Sequence, residues 1–155
     1  MSEPFAIRRA TTRDIETLVE LRVALQSENS DGIEVDWAAA GEACRRYFAE
    51  TLPREVFVVF VAEAEGRVVA TSAVSFASRP PGSTSFLQCE GYVTNVYTAP
   101  EWRGRGVATA LINPTIEYAR QRRARLVYLH TSDAGRSVYE QLGFAQYPRY
   151  MERRL

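Results

Sequence analysis

The chain has 155 residues, of which 46% are hydrophobic, 25% charged and 11% aromatic, which excludes a disordered, collagen-like or disulfide-scaffold protein. Nineteen basic residues balance nineteen acidic ones, so no overall positive field exists to hold a nucleic acid. A chain of this length forms one domain with a sizeable core, and we expect that domain to span residues 1–155.

The first elements are a short strand and a helix. Residues 5–10 predict the strand. Thr11 and Asp14 then resemble a capping box, with Asp in place of the usual Glu. Apolar residues recur at helical spacing from there to about Ser27, and residues 28–34 are typical of a loop.

A second helix and a hairpin follow. Asp36 can cap the helix, which must end before Pro53. Residues 56–62 are continuously apolar, β-branched and aromatic, as in a strand that is buried on both faces. Residues 65–67 supply a turn, and residues 68–76 return as the antiparallel partner strand.

The second half alternates strands with helices. The pattern predicts a fourth strand over residues 87–98, a helix over 104–122, a strand over 126–131 and a helix over 134–142. A last strand is expected after Gly143. Crossover helices imply parallel pairing late in the chain and the hairpin implies antiparallel pairing early, so the fold class is α/β with a mixed sheet.

The cysteines and the N-terminus argue against several classes of protein. Cys44 and Cys89 form neither a C-x-x-C motif nor a Cys/His cluster, so we expect no metal site and two buried free thiols. The sequence shows neither a signal peptide nor an apolar run of about 18 residues. We therefore expect a cytoplasmic protein that does not engage a membrane.

The start of the third predicted helix has the features of an anion-binding site. Gly104 and Gly106 let the backbone approach a ligand closely, and the unpaired amides of the first helical turn point outward. Arg103 and Arg105 can add charged donors, and the small Ala108 leaves room. A pyrophosphate suits this description. The alternative is an ordinary glycine-containing helix start with solvated arginines.

A dinucleotide-binding interpretation of the same segment fails twice. It requires a third Gly or Ala where this chain has Thr109, and an acidic residue at the end of the next strand. That strand instead ends in Leu, His and Thr at residues 129–131.

Two motifs give the chain a resemblance to the GNAT superfamily of acyl-CoA-dependent N-acyltransferases. The phosphate loop of that family has Gln or Arg, then Gly three residues later, then Gly or Ala two residues after that. Arg103, Gly106 and Ala108 occupy these positions. Downstream, residues 139–144 read Tyr, three residues, Gly and Phe, which is similar to a second family pattern. The order of predicted elements also agrees over nearly the whole chain.

The resemblance implies a mostly antiparallel sheet that is splayed between strands 4 and 5 and flanked by about four helices. Acetyl-CoA would lie in the splay, where the fourth strand pairs with the pantetheine arm and the helix start holds the pyrophosphate. Ser132 stands where many relatives have Asn. The implied coenzyme-binding residues are Val96, Tyr97, Thr98, Arg103, Gly104, Arg105, Gly106, Val107, Ala108, Thr109 and Ser132.

The resemblance also makes Tyr139 the general acid. A phenol with a pKa near about 10 can protonate a thiolate whose conjugate acid has a pKa near about 8.5. The alternative is a core tyrosine that packs beside Leu142. The amide at or beside Thr98 would polarise the thioester carbonyl, because strand separation leaves it unpaired.

The candidate general base is Glu90. Period-two alternation puts Glu90 and Thr98 on one face of the fourth strand, from which the carboxylate could reach the amine through water. The alternative is a solvated carboxylate near the start of the strand. For His130, the only histidine, a structural role is favoured over a catalytic one.

The acceptor is expected at the loop between the first two helices. Four carboxylates there would favour a cationic amine, although a solvated loop explains them equally well. They are Glu28, Asp31, Glu34 and Asp36. The side chains of Trp37, Trp102 and Tyr92 are candidates for the walls of an acceptor pocket, with core packing as the alternative.

Together these patterns predict an N-acetyltransferase that moves an acetyl group from acetyl-CoA to a primary amine of a small molecule or a protein N-terminus, without a metal. One alternative is a catalytically inactive CoA-binding regulatory module, and another is a nucleotide-binding module. Exposed edges beside the last strand are compatible with a homodimer.

Overall fold

The computed structural model describes residues 4–155 as a five-stranded sheet with helices on both faces. The strands are β1 (Ala6–Arg9), β2 (Phe57–Ala64), β3 (Arg67–Ser78), β4 (Cys89–Thr98) and β5 (Ala124–Tyr128). The helices are α1 (Ile15–Glu28), α2 (Trp37–Thr51), α3 (Val107–Gln121) and α4 (Arg136–Gln141).

The sheet is mixed, as the sequence predicts. Its strands follow chain order from β1 to β5. The first four strands pair antiparallel, and β4 pairs parallel with β5. α3 makes the crossover that this parallel pair requires.

Apolar side chains on the two faces of the sheet form separate cores. On one face, Leu18 of α1 and Phe48 of α2 pack against Val59 of β2. On the opposite face, Leu111 of α3 packs against Ala62 of β2. β2 is therefore buried on both sides, which explains its unbroken apolar sequence.

The local signals of the sequence form the structures that they predict. The Thr11 amide donates to the Asp14 carboxylate at 2.7 Å, and the capping box is complete. Asp36 caps α2 through its side chain. Glu65 and Gly66 form the β2–β3 turn with positive φ values of 53° and 74°, and two such residues match the twist of a hairpin.

Several expected boundaries differ from the structure by a few residues, and one expected strand is absent from the described residues. α3 begins at Val107 rather than at residue 104, because the two residues with positive φ before it cannot continue a helix. β5 ends at Tyr128 rather than at residue 131. No strand follows Gly143 in the described part of the chain, where Pro148 lacks the amide that a sheet ladder needs.

The two cysteines are half-buried free thiols in the fold. The expectation that they stay unpaired is thus confirmed, and burial is only partial. None of the helices that the structure describes combines the length and the apolar character needed to cross a bilayer.

Asp14 joins the start of α1 to the edge of the sheet. Its carboxylate accepts from Nη1 and Nη2 of Arg8 at 2.9 and 2.8 Å, in addition to its bond from the Thr11 amide. These hydrogen bonds, with that from Arg8 the largest effect, hold the pKa of Asp14 below its ordinary value although burial opposes the shift. A group with a lowered folded-state pKa stabilises the fold above its unfolded-state pKa.

We expect Asp14→Asn to lower the free energy of unfolding by about 2 kcal/mol at pH 7, because it removes hydrogen bonds to a charged acceptor. The loss shrinks as the pH falls from about 4 toward the lowered folded-state pKa, where the wild-type carboxylate itself becomes neutral. Urea unfolding of both proteins at pH 7 and pH 3 measures this. An equal difference at both pH values contradicts the assignment.

Candidate active site

β4 and β5 pair over less than half the length of β4. The ladder runs from Cys89 opposite Ala124 to Tyr92 opposite Tyr128. β4 then continues to Thr98, while β5 has already ended. Because parallel strands have their carboxyl ends at the same edge of a sheet, this gap opens at the edge where ligands of open α/β sheets bind. The predicted splay between the fourth and fifth strands is therefore present.

A bulge at Asn95 causes β4 to turn away. Register with β3 shifts between the Ala73–Thr94 and Thr71–Tyr97 pairs, and Asn95 has a φ of 55°. An extra residue of this kind bends a strand and increases its twist. The bend explains why β5 lacks a partner after Tyr128 and ends early.

Asn95 is buried, with an exposed fraction of 4%. Its carbonyl accepts from the Thr71 hydroxyl at 2.7 Å, which fixes the bulge to β3. Its side-chain amide nitrogen and oxygen have no partner among residues 4–155. Sequence reasoning missed this residue, although Asn adopts positive φ more readily than most residues.

The backbone of Thr98 borders the gap. The Ala99 amide donates to the Val69 carbonyl of β3 at 2.9 Å. Successive amides along a strand point to opposite sides, so the Thr98 amide points away from β3 and toward the gap. The structure thus leaves an outward-facing donor at Thr98, where the resemblance implies one.

α3 starts with open amides beside this edge. Gly104 and Gly106 have φ values of 73° and 75°. The first helical hydrogen bond runs from the Ala110 amide to the Gly106 carbonyl at 3.0 Å, so the three preceding amides in residues 107–109 have no helical acceptor. A Cβ atom added at either glycine would meet no protein atom within 4 Å, which leaves space for a ligand.

Arg103 is engaged by protein groups rather than free to bind phosphate. Its Nε donates to the Thr98 carbonyl at 2.9 Å. Its Nη2 lies 2.9 and 2.8 Å from the two carboxylate oxygens of Glu28, at the end of α1. The Tyr97 hydroxyl donates to the same carboxylate at 3.0 Å. We call Glu28, Tyr97 and Arg103 the α1 clamp, because they fasten α1 to the end of β4.

Arg105 packs against an aromatic ring instead of pairing with a carboxylate. Its guanidinium carbon lies 4.7 Å from the centroid of the Trp102 ring, within the range of a cation–π contact. Trp102 is buried in the core beneath α3, which agrees with the core-packing alternative rather than with a place in the wall of an acceptor pocket.

The second motif follows β5, the strand that borders the gap opposite β4. Ser132 follows β5, and its hydroxyl accepts from the Gly135 amide at 3.3 Å, just before α4. A Cβ atom at Gly135 would lie 2.6 Å from Oγ1 of Thr131, so a larger residue there would require the Thr131 side chain to move. Tyr139 on α4 is half-buried and packs edge-on against Phe144 at 5.7 Å. Burial raises the pKa of the Tyr139 phenol.

Glu90 lies at the opposite end of β4 from the gap. Eight residue steps separate it from Thr98, about 26 Å of extended chain. Its carboxylate pairs with Arg125 and with Arg79, the latter at 3.2 Å. Burial would raise the pKa of Glu90, yet hydrogen bonds from the two guanidinium groups hold it below the ordinary value. This placement does not support Glu90 as the base, because the carboxylate is distant and held by two cations.

Tyr92 and His130 meet on the face of the sheet that carries α1. The Tyr92 hydroxyl lies 3.0 Å from Nδ1 of His130. The His130 ring also contacts Tyr150, with ring centroids 5.3 Å apart. Both partners of this hydrogen bond adjoin the point where β4 and β5 separate, since Tyr92 forms the last pair of the ladder.

The acidic loop does not act as one charged surface. Glu28 belongs to the α1 clamp, and Asp36 caps α2 through a 3.0 Å bond from the Ala39 amide. Asp31 and Glu34 are exposed. A cavity of about 300 Å³ lies between α1, this loop and α2, and neither carboxylate lines it. The loop therefore supplies no cluster of carboxylates for a cationic acceptor.

The fold and the gap define the class of acyl-CoA-dependent N-acyltransferases. A family profile described as "Acetyltransferase (GNAT) family" matches residues 15–144. The chain therefore belongs to the GNAT family of acetyltransferases.

Solved structures agree with this assignment. A predicted acetyltransferase from Clostridium acetobutylicum, crystallised with acetyl-CoA, is 32% identical with a TM-score of 0.85, over 97% of this chain and 96% of that one. A GCN5-related N-acetyltransferase from Ralstonia eutropha shares the fold at 24% identity and a TM-score of 0.83, over 96% and 97% of the two chains.

One curated relative is considerably longer than this chain. An uncharacterized N-acetyltransferase of Methanocaldococcus jannaschii is 26% identical over 92% of this chain. The chain spans only 61% of the length of that relative.

The α1 clamp predicts an energetic coupling between Glu28 and Tyr97. In a double-mutant cycle of Glu28→Gln and Tyr97→Phe, we expect a coupling free energy of about 1 kcal/mol, since a buried hydroxyl donates to a carboxylate that is partly screened by solvent. Urea unfolding of the four proteins measures it. Glu101 pairs with Arg67 at 2.9 Å instead, so Glu101→Gln combined with Tyr97→Phe provides the uncoupled control.

Proposed function

We propose that the chain transfers an acetyl group from acetyl-CoA to a primary amine, either of a small molecule or of a protein N-terminus. The observation that carries this proposal is the gap between β4 and β5, which ends at the open amides of α3. Acetyl-CoA supplies a thioester whose acetyl group an amine can take. The remaining steps depend on groups of this chain.

The helix start of α3 would hold the diphosphate. The open amides and the positive end of the helix dipole both favour an anion there. The free space above Gly104 and Gly106 fits the bulk of a diphosphate. Because Arg103 is committed to Thr98 and Glu28, the backbone supplies most of the binding, and Arg103 holds the loop in place.

β4 would orient the thioester. Val96 and Thr98 alternate with Tyr97 along the strand, so the backbone groups of Val96 and the amide of Thr98 face the gap and would pair with an extended arm. The Thr98 amide lies where it can donate to the carbonyl oxygen as negative charge develops on it. Ser132 borders the gap from the side of β5.

Tyr139 would act as general acid. When the amine nitrogen forms its bond to the carbonyl carbon, the carbon–sulfur bond breaks and the sulfur leaves as a thiolate. The raised pKa of the Tyr139 phenol keeps the hydroxyl protonated at neutral pH, so it can donate its proton to that sulfur.

The pair of Tyr92 and His130 would accept the proton that the amine loses. A neutral imidazole has one ring nitrogen that can accept a proton. Through the hydrogen bond between Tyr92 and His130, a proton taken up at Tyr92, on the sheet face that carries α1, would pass to the imidazole. This assignment replaces Glu90, whose carboxylate is tied to two arginines at the far end of β4.

Gly106→Val tests the phosphate site. We expect it to weaken CoA binding by at least about tenfold, because a side chain would enter the space that the diphosphate needs. Gly66→Val is the matched control, since Gly66 has nearly the same φ and equally open surroundings but lies in the β2–β3 turn. Calorimetric titration with CoA measures both. Equal affinities in the two variants would contradict the site.

Tyr139→Phe tests the acid. We expect kcat to fall by about 10²- to 10⁴-fold while CoA affinity is kept. Tyr118→Phe is the control, because Tyr118 packs between Phe60 and Phe76 away from the gap. Free thiol released from acetyl-CoA over a panel of amines measures turnover. Tight CoA binding without thiol release by the wild type would instead indicate an inactive binding module.

A further inference from the structure

The cavity beside α1 lies between α1, the loop that follows it and α2, and both helices pack on the face of the sheet that carries Tyr92. It has a volume of about 300 Å³, the size of a small-molecule site. Apolar side chains make up most of the wall: Val23, Ile33, Val35, Trp37, Ala40 and Cys44. Its polar side chains are Arg22, Gln26, Asn29 and Ser30.

Arg22 is the charged member of this wall, and no carboxylate compensates it. The half-buried arginines among residues 4–155 are Arg22, Arg45 and Arg125. Arg45 pairs with Glu16 at 2.7 Å, and Arg125 pairs with Glu90. No ion pair of the described chain includes Arg22.

Arg22 has a neutral hydrogen-bond partner, the side-chain amide of Gln26. With its amide turned so that the oxygen faces the guanidinium, Gln26 accepts from Nη1 and Nη2 at 3.1 and 3.3 Å. This bond orients the guanidinium and leaves its positive charge in place. Glu28, which is close to Arg22 in sequence, forms its ion pair with Arg103 instead.

Arg22 also acts on the proposed proton acceptor. Its positive charge lowers the pKa of Tyr92, although burial raises that pKa more strongly. Arg22 on α1 and Tyr92 on β4 lie on the same face of the sheet. An acceptor whose amine faces Tyr92 would bring its remaining groups toward Arg22.

We infer that Arg22 binds an anionic group of the acceptor, a carboxylate or a phosphate, so that the substrate is a small amine that carries its own negative charge. The inference rests on the proposed function. A bare cationic amine would be repelled by Arg22, whereas an anionic group would form charge-assisted hydrogen bonds with its planar guanidinium. The chemistry is opposite to that expected from the acidic loop.

The experiment compares pairs of amines that differ only in the anion. One pair is an α-amino acid and its carboxamide, and the other is an aminoalkyl phosphate and the corresponding amino alcohol. The two pairs distinguish a carboxylate from a phosphate. Acetylation of each is followed by thiol release and by mass spectrometry of the product.

In the wild type, we expect kcat/KM to be higher for the anionic member of at least one pair. Arg22→Gln should lower kcat/KM for that member by about ten- to one-hundredfold, mainly through KM, and leave the neutral member nearly unchanged. Arg22→Lys should retain part of the preference. Glu20→Gln, at an exposed position on the same helix, is the control and should not change kcat/KM for either member.

Two outcomes would overturn the inference. In one, the neutral members react as well as the anionic ones. In the other, Arg22→Gln lowers kcat/KM equally for the anionic and the neutral member of a pair, while CoA affinity is unchanged. Either result would leave acetyl transfer standing. If the wild type acetylates no amine, both the proposed function and the inference about Arg22 fail. Circular dichroism checks that each variant is folded. If Arg22→Gln is unfolded, the comparison with the wild type is made with Arg22→Lys.

Discussion

The bulge at Asn95 is the constraint on which the site depends. β4 must stay paired with β3 along its whole length, because that pairing covers both apolar cores. The extra residue lets β4 keep this partner and still turn away from β5. The gap, the outward amide of Thr98 and the position of α3 all follow from that bend. The fold accepts a positive φ and a buried amide without partners at this point, and such departures concentrate at functional sites.

Ion pairs fix the two ends of β4 in opposite ways. At its start, Glu90 binds arginines from the β3–β4 connection and from β5, so the sheet is held closed where β4 and β5 pair. At its end, the α1 clamp ties β4 to a helix and leaves the β5 side open. Ion pairs thus hold β4 and β5 together at the start of β4. At its end, an ion pair attaches β4 to α1, on the side away from β5.

The sequence predicted those features whose cause is local. Thr11 with Asp14, Asp36, and the turn at Glu65 and Gly66 each depend on neighbouring residues, and each was found. The motif around Gly106 was also recognisable, because its meaning depends on consecutive backbone conformations. The fold class followed from these elements and from the resemblance that two motifs gave.

Contacts between distant positions were not predictable in this way. Glu28 and Arg103 are 75 residues apart, and Glu90 and Arg125 are 35 apart. Composition and periodicity do not indicate which carboxylate meets which arginine. The sequence therefore did not show that Glu90, the candidate base, pairs with two arginines. Nor did it show that Glu28, assigned to the acidic loop, pairs with Arg103. The bulge changed the alternation along β4, which further weakened the argument that placed Glu90 and Thr98 on one face.

The positions of the two tryptophans have an optical consequence. Trp102 lies under Arg105 next to the start of α3, and Trp37 lines the cavity beside α1. These are the only indoles in the chain. The proposed diphosphate site and the proposed acceptor cavity therefore each have an intrinsic fluorophore beside them. Replacing one indole with phenylalanine would isolate the emission of the other, so that the arrival of donor and acceptor molecules could be followed separately without an added dye.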